Sequence, residues 1–292
     1  MKVLVTGGAG FIGPYLVGAL KNTGHEVVIL DNFSSGNKSN LEGSSAKIVE
    51  GDIRNLENVE SAMEGCELVF HLAAQSSVQR SMENPEEDSE INVLGTENVL
   101  EAAEKAGVKK LVFFSSAAVY GNPLEFPVTE ETETKPISPY GESKLAAEKL
   151  CAESSIPTFI LRIFNIYGNG GQGVITKMLV EANLGRSPEI YGDGEQTRDF
   201  LYVKDLVRAC ILCLENESGK STILNIASGE ETSINDIVSA MENALGKELN
   251  VVKTTEKEGD IKRSWTSISR ASEKIGYRPE YSIEDGIKDM LK

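Results

Sequence analysis

The chain lacks what several functional classes require. None of its 292 residues fall in an apolar run near the ~20 needed to cross a bilayer. The first six residues, Met1 to Thr6, read at once as a strand, with no apolar leader followed by a cleavage site. A cytoplasmic location, with no membrane partner, is expected. Basic residues are few: 29 Lys and Arg face 45 Asp and Glu, a formal net charge of −16. Such a surface repels nucleic acid, and an anionic substrate would need a local positive pocket. Only four cysteines and two histidines occur. Cys210 and Cys213 have metal-like spacing, but they lie in the apolar helical stretch 206–214, where cysteine is a small core residue. No second Cys or His pair completes a zinc site, so neither metal nor disulfide is expected.

What is present is an alternating pattern. Short β-branched runs at 2–6, 26–30, 46–50, 68–72, 110–115 and 158–163 are separated by helical patterns at 10–23, 55–63, 92–106 and 139–154. That alternation predicts an α/β fold, a Rossmann-type doubly wound parallel sheet covered on both faces. Beyond residue 165 the pattern loosens. A glycine-rich stretch at 168–173 precedes helices at 174–184, 204–215 and 234–245, a strand at 223–226 and a last helix at 281–291. We expect a dinucleotide-binding domain over 1–165 and a smaller α/β substrate-binding lobe over 166–292, with some later segments returning to the first domain. No internal repeat or low-complexity tract is visible.

The first strand runs into Thr6-Gly7-Gly8-Ala9-Gly10-Phe11-Ile12-Gly13. Glycines 7 and 10 let backbone N–H groups approach a pyrophosphate resting on the following helix, and Gly13 permits close helix–strand packing. Asp31 ends the second strand, about 20 residues on, where a carboxylate accepts hydrogen bonds from ribose hydroxyls. It would repel a 2′-phosphate, and Lys38 is the only cation nearby, which favours NAD over NADP. Asp52, after the third strand, suits either the adenine or a helix N-cap.

Tyr140 and Lys144 lie one helical turn apart in Ser138-Pro139-Tyr140-Gly141-Glu142-Ser143-Lys144, with Ser116 upstream. A free phenol has a pKa near 10 and is a poor base. The Lys144 ammonium can favour its ionised form, and Ser116 can relay a hydroxyl proton to Tyr140. Beside a nicotinamide, this trio can make and unmake a carbonyl.

These residues resemble the extended short-chain dehydrogenases/reductases, in particular the nucleoside-diphosphate-sugar 4-epimerases. Further matches are Leu30-Asp31-Asn32, His71-Leu72-Ala73-Ala74, Phe114 to Gly121, Arg162-Ile163-Phe164-Asn165, and Tyr191 to Gly194 with Arg198-Asp199-Phe200. The resemblance implies bound NAD that oxidises carbon 4 of a nucleotide sugar, expected to be UDP-linked, through a transient 4-keto species. It places Phe11, Ile12, Asn32, Ile53, Leu72, Ala73, Ala74, Asn92, Ser115 and Phe164, with Tyr140 and Lys144, at the cofactor. It places Asn165, Val174, Tyr191, Arg198, Lys257 and Asp260, with Ser116 and Tyr140, at the substrate. Asn165 and Arg198 would hold the diphosphate, the rival role of Arg198 being an ion pair with Asp199 or Glu195. His71 is read as shaping the cofactor loop rather than as catalytic, and His25 as structural. A homodimer through 92–106 and 139–154 is a family expectation.

Three positions depart from the pattern: Pro14 after the loop, Lys257 where an arginine is common, and Ser264 where a bulky side chain restricts the sugar. The small Ser264 would admit an N-acetyl group. A 4,6-dehydratase needs an acid pair where Ala117-Ala118 stand. A 4-keto reductase would favour NADPH, against Asp31. A non-enzymatic NAD-binding protein would be expected to lose one of the trio, and none is lost.

Overall fold

A computed structural model of the chain describes residues 1–217, 220–256 and 261–292. Two compact units are distinguished: residues 1–123, 130–163 and 207–224 form the first, and residues 124–129, 164–206 and 225–292 the second.

In the first unit, β1 (Lys2–Thr6), β2 (Glu26–Asp31), β3 (Lys47–Glu50), β4 (Leu68–His71), β5 (Lys110–Ser116) and β6 (Thr158–Ile163) form a parallel sheet. Their order is β3-β2-β1-β4-β5-β6, and Thr222–Ile226 adds a seventh strand beside β6. The winding direction reverses between β1 and β4. At such a switch point the loops after the two strands diverge and leave a crevice, the usual ligand position in open α/β sheets.

Both faces of the sheet are covered, as parallel strands require. Leu4, Val28, Val69, Leu111 and Ile160 pack with Val59 and Met63 of α2 (Leu56–Met63), Val99 and Ala103 of α5 (Gly95–Ala106), and Ala147 and Cys151 of α6 (Pro139–Glu153). Leu16, Val17 and Leu20 are the buried side chains of α1 (Gly13–Asn22). All four cysteines are free and buried, as core residues are.

Three differences from the sequence reading have physical causes. Helix α1 begins at Gly13 rather than residue 10, because residues 10–12 turn sharply above the sheet; Pro14 then sits in its first turn, where a missing N–H costs nothing. The helix expected from residue 92 opens with a π-turn, Glu90–Leu94, and becomes α-helical only at Gly95. A Cβ on Gly95 would lie 2.5 Å from Ile53 Cδ1, so the helix start presses on the loop after β3. Two short helices were not expected: α3 (Val78–Glu83), capped by Ser77, and α4 (Pro85–Ser89), capped by Asn84.

The second unit contains short strand pairs. Asn165–Tyr167 runs parallel to Phe200–Tyr202, Glu189–Tyr191 parallel to Val252–Thr254, and Thr197–Arg198 antiparallel to Thr232–Ser233. Helix Ile234–Leu245 starts with a Ser233/Asp236 capping box and ends at Gly246 in the left-handed region (φ 65°).

A buried ion pair ties α6 to the sheet. Arg162 on β6 donates to the Glu148 carboxylate at 2.7 Å through Nη2 and 3.0 Å through Nε, and both side chains are 5% exposed or less. Nη1 donates to the Tyr120 hydroxyl, and Ser115 donates to Glu148. Removing one partner strands the other charge in the interior, so Arg162→Met should cost about 3–5 kcal/mol. Urea unfolding checks this; a loss below about 1 kcal/mol would contradict it.

Candidate active site

The glycine loop leaves β1 with little room to spare. Gly7 lies in the left-handed region (φ 70°), and a Cβ there would come within 2.6 Å of the Ala73 nitrogen on the loop after β4. A Cβ on Gly13 would meet the Gly8 carbonyl oxygen at 2.1 Å. Helix α1 has no side chain capping its first N–H groups and no acidic residue in its first turn. Side-chain-free backbone at the switch point, with uncapped N–H groups behind it, suits a dinucleotide pyrophosphate.

Asp31, at the end of β2, is 8% exposed. It accepts from the Ala9 amide (2.8 Å) and the Phe33 amide (2.8 Å), which fixes its carboxylate beside the glycine loop. Each oxygen keeps a lone pair for a ribose hydroxyl. Lys38 is engaged with Glu50 at 2.6 Å. Asn32 donates to Asp52 at 2.8 Å, and Arg54 grips the same carboxylate through Nε and Nη2. The Arg54 hydrogen bond holds the Asp52 carboxyl down at about 2. The helix-cap alternative for Asp52 is corrected: Asn55 caps α2, its side chain accepting from the Asn58 amide.

The trio comes together. Ser116 ends β5, and its hydroxyl accepts from the Ala118 amide at 3.1 Å and shares a hydrogen bond with the Tyr140 phenol. Ser138 caps α6 and Pro139 opens it, which sets Tyr140 and Lys144 on one face. A Cβ on Gly141 would lie 2.7 Å from the Ala118 carbonyl, so only glycine lets α6 press this closely on the turn after β5. The Lys144 ammonium donates to the Phe114 carbonyl at 2.7 Å, not to the phenol, and lies 4.9 Å from the Phe113 ring centre. Burial brings its pKa down to about 8 and raises that of the Tyr140 phenol above its ordinary value. In the protein alone, then, the phenol holds its proton.

The second unit has a cavity of about 1100 Å³. Asn165, Val174, Tyr191 and Arg198 all line it, and its basic lining side chains are Arg198 and Lys177. Arg198 donates to the Thr197 carbonyl at 2.8 Å. The acids expected as rivals are used elsewhere. Asp199 is buried and accepts from Ser228 and Gly229, its pKa raised by burial to about 6, and Glu195 accepts from Asn235. Lys257 and Asp260 lie outside the described residues.

The NAD dependent epimerase/dehydratase family matches residues 3–227. A putative UDP-glucose 4-epimerase of Methanocaldococcus jannaschii is 40% identical, over 99% of this chain and 97% of that one. The crystal structure of UDP-glucose 4-epimerase with UDP-glucose from Thermotoga maritima superposes with a TM-score of 0.92 at 36% identity, covering 100% of this chain and 97% of the other. The enzyme from Bifidobacterium longum, in complex with NAD⁺ and UDP, gives 0.90 at 30% identity, with the same coverage. The chain belongs to the NAD dependent epimerase/dehydratase family.

Several residues expected at the cofactor have little or no exposed side chain. Ile53 (5% exposed), Asn92 (2%), Ser115 (4%) and Phe164 (4%) are buried. Ser115 donates to Glu148, and Asn92 exchanges hydrogen bonds with the Gln75 main chain. Phe11, Ile12, Leu72, Ala73 and Ala74 are partly exposed around the loop. His71 is buried, with both ring nitrogens in contact with protein hydroxyls. Thr96 gives its proton to the Asn92 carbonyl and so accepts from His71 Nε2, while Nδ1 is 2.7 Å from the Thr6 hydroxyl. Burial drops its pKa to about 3, so the ring is neutral and its one N–H is in use. The supporting residues that sequence reasoning passed over are Asp88, Gln75, Ser143 and Glu148.

Two outcomes are expected. Gly7→Ala should weaken NAD binding at least about tenfold by forcing the loops apart, read by calorimetric titration; unchanged affinity would contradict the cradle. Lys144 has a folded pKa near 8 against 10.5 in the unfolded chain, so its burial penalty is full below pH 8 and vanishes as pH rises to 10.5. Lys144→Met should therefore stabilise the ligand-free protein at pH 7, by on the order of 3 kcal/mol, with the gain shrinking toward pH 10 in urea titrations. A gain that grows with pH would overturn the assignment.

Proposed function

We propose that the protein is an NAD-dependent 4-epimerase of nucleotide sugars. The observation that carries this reading is the hydrogen-bonded Ser116–Tyr140 pair beside a buried Lys144, at the same sheet edge as the glycine loop and Asp31. The glycine loop, Asp31 and the loop after β4 fit a dinucleotide, and bound NAD supplies reversible hydride acceptance at carbon 4 of the sugar. Tyr140 takes the 4-hydroxyl proton, with Ser116 orienting that hydroxyl, and returns the proton when the opposite configuration forms. Lys144 contributes its charge and, through the Phe114 carbonyl, the alignment of β5 with α6. The diphosphate falls to Asn165 and Arg198 of the second unit, a guanidinium being well matched to phosphate, with Val174 and Tyr191 as further substrate contacts. On the same reading Lys257 meets the nucleotide phosphates and Asp260 another part of the substrate, and the small Ser264 favours acceptance of N-acetylhexosamines. Ala117 and Ala118 offer no acid for a 4,6-elimination.

A cytoplasmic homodimer is part of the same proposal; among the described residues no helix is long and apolar enough to cross a membrane.

Incubation with a panel of UDP-hexoses should give interconversion at carbon 4 with no net NADH. A 4-keto-6-deoxy product would assign a dehydratase, and net NADH consumption a reductase. Tyr140→Phe should lose at least about a hundredfold in kcat while retaining NAD; full activity would remove the phenol from the mechanism.

A further inference from the structure

Asp88 is an acid in an unusual place. It lies on the short helix α4 and is 1% exposed. Oδ1 accepts from Gln75 Nε2 (2.7 Å) and Asn92 Nδ2 (3.2 Å), and Oδ2 accepts from Ser143 Oγ (2.5 Å). Ser143 lies between Tyr140 and Lys144 on α6, and its hydroxyl is also 3.1 Å from the Tyr140 carbonyl oxygen. Asn92 Nδ2, 3.0 Å from Ser143, closes the ring. Three donors converge on this carboxylate, and among the described residues no cation pairs with it.

The neighbouring charges are accounted for. On α3 and α4, Arg80 pairs with Glu87 at the surface, and Glu86 is exposed. Glu90 on the π-turn faces Arg54, and Glu142 on α6 is exposed. Inside, Glu148 is paired with Arg162, and His71 is neutral. What remains around the phenol is one ammonium, Lys144, and one carboxylate, Asp88.

We propose that Asp88 is a positioning residue for the general base: it anchors the Tyr140–Lys144 turn through Ser143 and supplies the negative charge that balances Lys144. This rests on the reading of Tyr140 as the base. At neutral pH the buried set of Asp88, Lys144, Glu148 and Arg162 is neutral, so ionising Tyr140 there would leave it one negative charge in excess. The positive ring of oxidised NAD restores the balance. Asp88 thereby keeps the phenol protonated until the oxidised cofactor is present. The electrostatics agree: burial is the main cause of the phenol's raised pKa and the Asp88 charge adds to it, against the Ser116 hydrogen bond, while the same charge opposes the lowering of the Lys144 pKa by burial.

The test is Asp88→Asn, nearly isosteric, in cofactor-free protein carrying ¹³Cζ-labelled tyrosine, with Tyr140→Phe assigning the resonance. The Tyr140 phenol should titrate lower than in wild type by on the order of one pH unit. An unchanged or higher value would leave Asp88 a purely structural acid and overturn the proposal. With NAD bound, the acid limb of the kcat profile should move to lower pH in the same variant; a superimposable profile counts against it. Ser143→Ala covers the case in which Asp88→Asn does not fold. It retains the charge but removes a hydrogen bond that shields it, so the phenol should titrate higher than in wild type, and an equal or lower value overturns the idea. Activity of Tyr140→Phe would sink the general-base reading while leaving these titrations interpretable.

Discussion

The buried ammonium of Lys144 sets the terms for everything around it. Its proton is held by a main-chain carbonyl, Phe114, and by the face of Phe113, with no carboxylate in contact. A cation in that position is costly unless the surrounding charges are arranged to tolerate it. Two acids face it, one neutralised by Arg162 and the other held by three neutral donors. The Ser115–Glu148–Arg162–Tyr120 cluster and the Gln75–Asp88–Asn92–Ser143 cluster are thus two supports of one helix. They fix α6 against β5 and β6 on one side and against the segment after β4 on the other.

That arrangement explains why the fold places its chemistry where it does. The carboxyl ends of β1, β2, β4 and β5 carry Gly7, Asp31, the Leu72–Ala74 loop and Ser116, and the sheet reverses between β1 and β4. Loops at a reversal diverge, and the glycines keep the gap free of side chains. His71 spends both ring nitrogens on Thr6 and Thr96, locking β1, β4 and α5 at this point. The glycine loop, Asp31, His71 and Ser116 therefore gather at one edge of the sheet, held by the packing beneath it.

How much of this could be read in the sequence depended on whether the signal was local. The parallel sheet was legible because most strands are short apolar runs and some helices carry a local start signal, such as Ser138-Pro139 for α6. The glycine loop and the Tyr140–Lys144 pair were legible because spacing alone fixes their geometry. Asp88 was not. It follows Glu86 and Glu87 in a run that reads as solvated first-turn charge, and only the fold shows which of the three turns inward. The same holds for Glu148, an unremarkable helix acid until Arg162 on a distant strand meets it. The π-turn at Glu90–Leu94 and the late start of α1 were illegible because they answer to tertiary contacts: Gly95 against Ile53, and Gly13 against Gly8. Sequence also gave no sign of the protein hydrogen bonds that hold the Asn92 and Ser115 side chains.

The central claim is that carbon 4 is oxidised and re-reduced within one active site, the hydrogen never leaving for solvent. The most direct measurement uses a UDP-hexose deuterated at carbon 4, converted in ordinary water and analysed by mass spectrometry and NMR. The account requires the deuterium to be retained at carbon 4 of the epimer. Its replacement by solvent hydrogen would show proton abstraction from carbon, and would contradict the redox role given to Ser116, Tyr140 and Lys144.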